Sequence, residues 1–348
     1  MNKEKYMRRC IQLAQNGKLN AAPNPMVGAV IVYKNQIIGE GYHIKSGSHH
    51  AEVNAINSVK DKTKLSESTI FVSLEPCSHQ GKTPPCADLI IAYNIPNVVI
   101  GCQDPFSKVA GAGIQKLKEA GIQVEVGLLE KKALSLIKQF YTFHANKRPY
   151  IVLKWAESAD GYIDRNRIQG KPTRISSPLS TIVTHKRRAE IESILVGRRT
   201  ALLDNPSLSV RSWYGQNPIR LVIDKELSLP KELNLFNGKT NTYVFTEKEI
   251  KSTQKNLEYV TLNFNKPVIN QILAFLYDKN IQSVLVEGGA QLHNSFIEGN
   301  LWDEIHIEKG ELIIKDGVKA AKKPTKSKAE TNYSFGARFI SYYNKSRF

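Results

Sequence analysis

The chain has 348 residues, a length that suits two α/β domains better than one, and 41% of them are hydrophobic, enough for packed cores. No apolar run approaches the roughly 18 residues of a membrane span, which excludes a bilayer-crossing helix and leaves no expected membrane partner. The net charge of +17 raises nucleic acid as a partner, but the basic residues are spread along the whole chain, so none is expected; the same positive field would draw a small phosphorylated substrate.

In chain order, residues 3 to 16 have the spacing of an amphipathic helix with Tyr6, Cys10, Leu13 and Ala14 on one side, stopped by Gly17. This charged N-terminal stretch lacks the apolar centre of a secretory signal, which points to the cytoplasm. Strands are predicted at Val27 to Tyr33 and Ile37 to Tyr42, joined by a turn at Lys34-Asn35. A helical run, AEVNAINSVK, follows His50 and puts Glu52 on its first turn. The strand at Ile70 to Leu74 delivers Cys77 just past its C-terminal end, where open α/β sheets collect ligands. A strand at Val98 to Gly101, a helix from Gly113 to Ala120 and a strand at Val124 to Val126 complete this sheet.

These elements carry a chemical constellation. His50, Cys77 and Cys86 supply one imidazole and two thiolates, and three protein ligands leave the fourth tetrahedral position of a zinc ion open for water. Glu52, two residues from His50, is suited to moving protons between that water and a leaving amine. His-x-Glu followed by Pro-Cys is the signature of zinc-dependent nucleobase deaminases. Its usual second half is Pro-Cys-x-x-Cys; here eight residues, SHQGKTPP, separate Cys77 from Cys86. His49 competes with His50 but lacks the His-x-Glu spacing, and His79 reads as a loop or substrate-edge residue. Cys10 and Cys102, without Pro or His context, read as packing residues. Clustered Cys and His in a chain with four cysteines indicate a reducing compartment and metal chemistry rather than disulfides. Thiolates and tetrahedral geometry favour zinc over iron.

A long helix from Glu130 to Ala145 ends before Pro149, which marks the boundary between domains at 1–147 and 148–348. A second α/β pattern follows, with strands at Tyr150 to Ala156, Ser193 to Gly197, Ile219 to Asp224, Thr242 to Phe245 and Ser283 to Glu287. Gly288-Gly289, after the last of these, lets the backbone approach a phosphate at a helix N-terminus or simply makes a tight strand-to-helix turn. The Lys-rich tract from Lys315 to Lys328 reads as a solvated or loosely ordered surface segment.

Two groups of motifs resemble the bifunctional riboflavin-biosynthesis deaminase/reductase family across nearly the whole chain. Pro23-Asn24-Pro25-Met26-Val27-Gly28 and the run from Glu75-Pro76-Cys77 to Pro84-Pro85-Cys86 look like its deaminase half. Lys154 to Gly161, Ile194 to Gly197, Thr200 to Arg211 and Glu287-Gly288-Gly289 look like its reductase half. The resemblance implies a cytidine-deaminase-like three-layer domain and a dihydrofolate-reductase-like domain. It implies NADPH contacts at Ala156, Ser176, Thr200, Asp204, Gly288 and Gly289, and substrate contacts at Asn24, Arg188, Leu208, Arg211 and Glu287. Arg188 and Arg211 suit a ribose phosphate because guanidinium matches phosphate bidentately. The chain departs from the family at Gly170 to Ser177: Pro172 has no side-chain donor, and Arg174 is either a cofactor-phosphate ligand or a surface residue.

The resulting expectation is hydrolytic deamination of 2,5-diamino-6-ribosylamino-4(3H)-pyrimidinone 5′-phosphate, followed by NADPH-dependent reduction of the ribosyl group to ribityl. The rivals are a deaminase of free nucleotides or tRNA with an inactive nucleotide-binding second domain, and a zinc-stabilised binding module without turnover. Oligomeric state is open, a homo-oligomer included.

Overall fold

A computed structural model of the protein describes residues 2–78, 84–106, 110–167, 170–325, 327–334 and 336–344. The chain divides into two compact units, Met1–Lys147 and Arg148–Phe348.

The first unit is a five-stranded sheet of β1 (Gly28–Tyr33), β2 (Gln36–Tyr42), β3 (Thr69–Leu74), β4 (Asn97–Cys102) and β5 (Gln123–Val126), in the order β2-β1-β3-β4-β5. β1 pairs antiparallel with β2 and β3, while β3, β4 and β5 run parallel. Side chains of a strand alternate between faces, and each face here meets helices. Ala29, Ile31, Ile70, Val72, Val98 and Ile100 pack on α2 (Ala51–Ser58), α3 (Cys86–Ala92) and α4 (Ala112–Glu119). Val30, Val32, Phe71 and Val99 pack on α1 (Lys3–Gln15), and Leu74 and Cys102 pack on α5 (Glu130–Leu136). The unit is therefore a three-layer α/β/α sandwich. The single helix expected from Glu130 to Ala145 is two, α5 and α6 (Lys138–Asn146). Ile137 breaks helical geometry between them (φ −103°, ψ 18°) as its side chain enters the Leu74 and Cys102 cluster, a tertiary demand with no Gly or Pro to announce it.

The second unit places its principal strands in the order β11-β10-β9-β8-β12-β6-β13-β16-β15. In chain order these are β6 (Tyr150–Glu157), β8 (Ser193–Gly197), β9 (Ile219–Ile223), β10 (Thr242–Thr246), β11 (Leu257–Thr261), β12 (Ser283–Val286), β13 (Glu304–Lys309), β15 (Ala329–Ser334) and β16 (Ala337–Tyr343). β7 (Tyr162–Asp164) and β14 (Val318–Lys319) form a separate ribbon. The strands from β11 to β13 are parallel, and β16 and β15 extend the sheet antiparallel. One face buries Leu153, Trp155 and Val286 with α9 (Val268–Asp278) and α10 (Ala290–Glu298). The other buries Val152, Ile194, Val196 and Leu285 with Ala201 of α8 (Arg198–Asp204); α7 (Ser180–Ala189) precedes β8. Arg148 closes the start of β6 with a bidentate pair to buried Asp303 (2.6 and 2.7 Å).

Part of the Lys-rich tract is anchored, contrary to the loose segment expected. Val318 and Lys319 pair with β7, Ala321 is buried, and Lys323 Nζ lies 2.8 Å from the buried Glu157 carboxylate.

Candidate active sites

In the first unit the chemistry gathers at the C-terminal end of β3. His50 is the extended residue that caps α2, so its ring leaves the helix while Glu52 sits on the first turn. Cys86 is the first residue of α3, a helix the sequence reading missed; Pro85 before it holds φ −58° and ψ 139°, as a residue entering a helix should. The Cys86 backbone N–H donates to Cys77 Sγ (3.3 Å). His50 Nδ1 lies 3.5 Å from Cys77 Sγ and 3.4 Å from Cys86 Sγ, and the three donor atoms fall within 4.8 Å of one another. Zn–S bonds of about 2.3 Å and Zn–N bonds of about 2.0 Å at a tetrahedral ion require N-to-S separations of about 3.5 Å, so this donor set fits zinc.

The thiols sort by environment. Hydrogen bonding from Cys86, with His50 assisting, pulls Cys77 down to about 4, whereas burial pushes Cys102 up to about 12 and Cys10 higher still. Glu52 is 3% exposed; burial, reinforced by the negative Cys77 sulfur, raises its carboxyl to about 7, and a cation at the three donors acts in the opposite direction. His49 is exposed and stands apart from the donor cluster, and His79 lies outside the described residues.

Asn24 is oriented by a residue the sequence reading passed over. His43 is buried and its pKa is lowered, first by burial, so it is neutral; its Nδ1–H donates to His49 O (3.0 Å), which leaves Nε2 to accept from Asn24 Nδ2 (3.1 Å). The Asn24 carbonyl oxygen is thereby turned away from His43. A buried imidazole between two polar groups has no sequence signature beyond its type.

The second unit holds a cavity of about 820 Å³ over the C-terminal ends of its parallel strands. Ala156, Arg174, Ser176, Thr200 and Asp204 line it, as do Glu287, Gly288 and Gly289. A Cβ on Gly288 would stand 3.0 Å from Val196 Cβ, and Gly289 adopts φ +68° as the N-cap of α10, so the turn is both tight and open to a ligand. Ser176 Oγ donates to Glu308 (2.7 Å), and the Asp204 carboxylate is engaged by Arg167. Lys154, unassigned from sequence, also lines the cavity; burial pulls its ammonium below the usual lysine range while Glu287 and Glu308 oppose.

The remaining expected contacts in this unit, Arg188, Leu208 and Arg211, are not part of the cavity lining. Arg188 grips Glu287 through two nitrogens (3.0 and 2.6 Å) and donates to Ser209 O (3.1 Å). Burial alone would raise the Glu287 carboxyl, but Arg188 outweighs it and holds the pKa low. Leu208 is buried with φ +48°, and exposed Arg211 donates from its guanidinium to Ser209 Oγ (3.3 Å).

Residues 1–102 match the cytidine and deoxycytidylate deaminase zinc-binding region, and residues 149–313 match the RibD C-terminal domain. Fold and sites together define a zinc-dependent deaminase joined to an α/β reductase domain. The chain is 40% identical over 319 residues to the riboflavin biosynthesis protein RibD of Bacillus amyloliquefaciens, covering 89% of this chain and 85% of that one. It is 34% identical over 323 residues to RibD of Escherichia coli (strain K12), covering 88% and 87%. The diaminohydroxyphosphoribosylaminopyrimidine deaminase/5-amino-6-(5-phosphoribosylamino)uracil reductase of Thermotoga maritima matches at 35% identity with a TM-score of 0.88 over 98% of both chains. Acinetobacter baumannii RibD has the same TM-score at 29% identity, again over 98% of both chains. The chain belongs to the RibD family, the bifunctional deaminase/reductases of riboflavin biosynthesis, which use Zn2+ and NADPH.

Proposed function

We propose that the first unit removes the C2 amino group of 2,5-diamino-6-ribosylamino-4(3H)-pyrimidinone 5′-phosphate and that the second reduces the ribosyl group of the product to ribityl. The observation that carries this reading is the buried Glu52 carboxyl beside three converged metal donors. His50, Cys77 and Cys86 would hold zinc, whose chemistry is to make water nucleophilic at neutral pH. Glu52 takes a proton from the attacking water and delivers it to the ring nitrogen, then takes the remaining proton of the new C2 hydroxyl and delivers it to the departing amine, so that water and the aminopyrimidine become ammonia and the uracil. Asn24, held by His43, contacts the pyrimidine.

The chemistry that NADPH would supply when bound is hydride transfer, here to C1′ of the opened ribose. Ala156, Ser176, Thr200, Asp204 and the Gly288-Gly289 turn, which line the cavity, would hold the cofactor, and exposed Arg174 would serve a cofactor phosphate in place of the donor that Pro172 lacks. Ring opening leaves the ribose oxygen in need of a proton. Lys154, with its lowered pKa, is the group suited to give it. Glu287, Arg188 and the Leu208 segment frame the substrate, and Arg211 binds its phosphate.

The substrate is a small phosphorylated pyrimidine rather than RNA or DNA, since the basic residues are spread along the chain and the densest tract, Lys315 to Lys328, has Lys319 paired with β7 and Lys323 against Glu157. No helix among the described residues is long and apolar enough to cross a membrane, and the four thiols are free; with NADPH dependence, the thiols support a reducing, cytoplasmic setting.

The direct test is Glu52→Gln. Ammonia release should fall at least about 100-fold, the lower range for loss of a general acid-base group, with zinc content unchanged. Undiminished release would remove Glu52 from its role.

A further inference from the structure

Glu75 is neither a metal donor nor a proton carrier in this account, yet it is 3% exposed and heavily engaged. Its Oε1 accepts the backbone N–H groups of Gly113 (3.0 Å) and Ile114 (3.3 Å), and its Oε2 accepts those of Asp104 (3.2 Å) and Gly111 (3.0 Å). Gly113 and Ile114 belong to the first turn of α4, whose N–H groups have no partner within the helix, and a carboxylate there meets the positive end of the helix dipole. α4 is seated on the next peptide as well: a Cβ on Gly113 would lie 2.0 Å from Pro76 O. Beyond Pro76, the Cys77 carbonyl accepts the Ala87 N–H (3.1 Å).

We infer that Glu75 is a positioning residue for the metal centre. By latching the first turn of α4 and the segment after β4 to the end of β3, it clamps the Pro76 peptide and fixes where Cys77 presents its sulfur to His50 and Cys86. The inference rests on the zinc reading of those three residues. A glutamine at position 75 keeps the shape of the side chain but turns an NH2 toward two N–H donors, so half of the latch is lost and the Pro76-Cys77 turn loosens.

The test uses the full chain loaded with Zn2+ or Co2+. Glu75→Gln should weaken zinc binding in a chelator competition by roughly 10-fold, as loss of outer support to a metal ligand does. The ligand-field and thiolate-to-metal bands of the Co2+ form should shift and weaken. Gly113→Ala, which presses on Pro76 from the other side with Glu75 intact, should move the same bands. A cooperative unfolding transition of the first unit, followed by circular dichroism, reports that each variant has folded. Wild-type Co2+ bands and zinc affinity in a folded Glu75→Gln protein would mean that Glu75 only supports α4, and would overturn the inference. Should Glu75→Gln fail to fold, unchanged bands in Gly113→Ala would overturn it instead. A wild-type chain that takes up no zinc would bring down the metal reading of His50, Cys77 and Cys86, and this inference with it.

Discussion

Arg188 and Arg211 carry the same charge but not the same freedom. Arg188 spends its guanidinium on Glu287 and Ser209 O, whereas Arg211 is exposed and makes one long contact to Ser209 Oγ. We therefore propose Arg211 for phosphate recognition in the reductase step, and Arg188 for holding Glu287 ionised. Arg211→Ala should raise KM for the phosphorylated substrate by roughly 10-fold or more, the loss of a charge-assisted hydrogen bond, without changing KM for NADPH. Steady-state kinetics on the deaminated substrate checks this; unchanged KM and kcat would refute the assignment. The convergence of His50, Cys77 and Cys86 was legible because zinc chemistry demands those donors, and Glu52 because its spacing from His50 suits a proton carrier beside them. His43, Lys154 and Glu75 were not, since an orienting imidazole, a depressed lysine and a helix-latching carboxylate are made by tertiary contacts.

Turns between elements carry the cofactor side of the account. Gly289 holds φ +68°, where a Cβ is strained, and Gly288 lies against Val196 and Thr200. Gly289→Ala should weaken NADPH binding several-fold in a fluorescence titration, by twisting the N-terminus of α10, and leave ammonia release unaffected; equal NADPH affinity would show that the turn is only structural. Asp160, in the turn between β6 and β7, accepts the Ile314 and Lys315 N–H groups and the Ser158 hydroxyl. Led by the Ser158 bond, these hold its carboxyl at about 2, below the ordinary 3.8. The stabilisation is present above pH 3.8 and is lost as pH falls toward 2. Asp160→Asn should thus be less stable than wild type at neutral pH, by a margin that narrows between those values in denaturant titrations; a pH-independent margin would contradict the linkage.

Strands β1, β3, β4, β6, β8, β9 and β12 are near-continuous apolar runs and could be read directly. β15 is almost wholly exposed and β16 only partly buried, so neither carries a strong period-two signal, and the antiparallel edge of the second sheet went unread. α3 was hidden behind its two prolines, which announce a restricted loop as readily as a helix start.

For the molecule as a whole, two chemistries share one chain but use separate reagents. Stripping zinc with a chelator should abolish ammonia release and leave NADPH oxidation on the deaminated substrate close to its original rate. Re-adding zinc should restore ammonia release, because the donors of the first unit are three side chains from two helix starts and one strand end. A parallel loss of both activities on chelation would contradict the separation of reagents. Both activities are read at once by giving the zinc-loaded protein 2,5-diamino-6-ribosylamino-4(3H)-pyrimidinone 5′-phosphate and NADPH, and following ammonia and NADPH together. Ammonia release should be followed by one NADPH oxidised per ammonia formed; ammonia without NADPH oxidation would contradict the reductase assignment, and neither signal would contradict both.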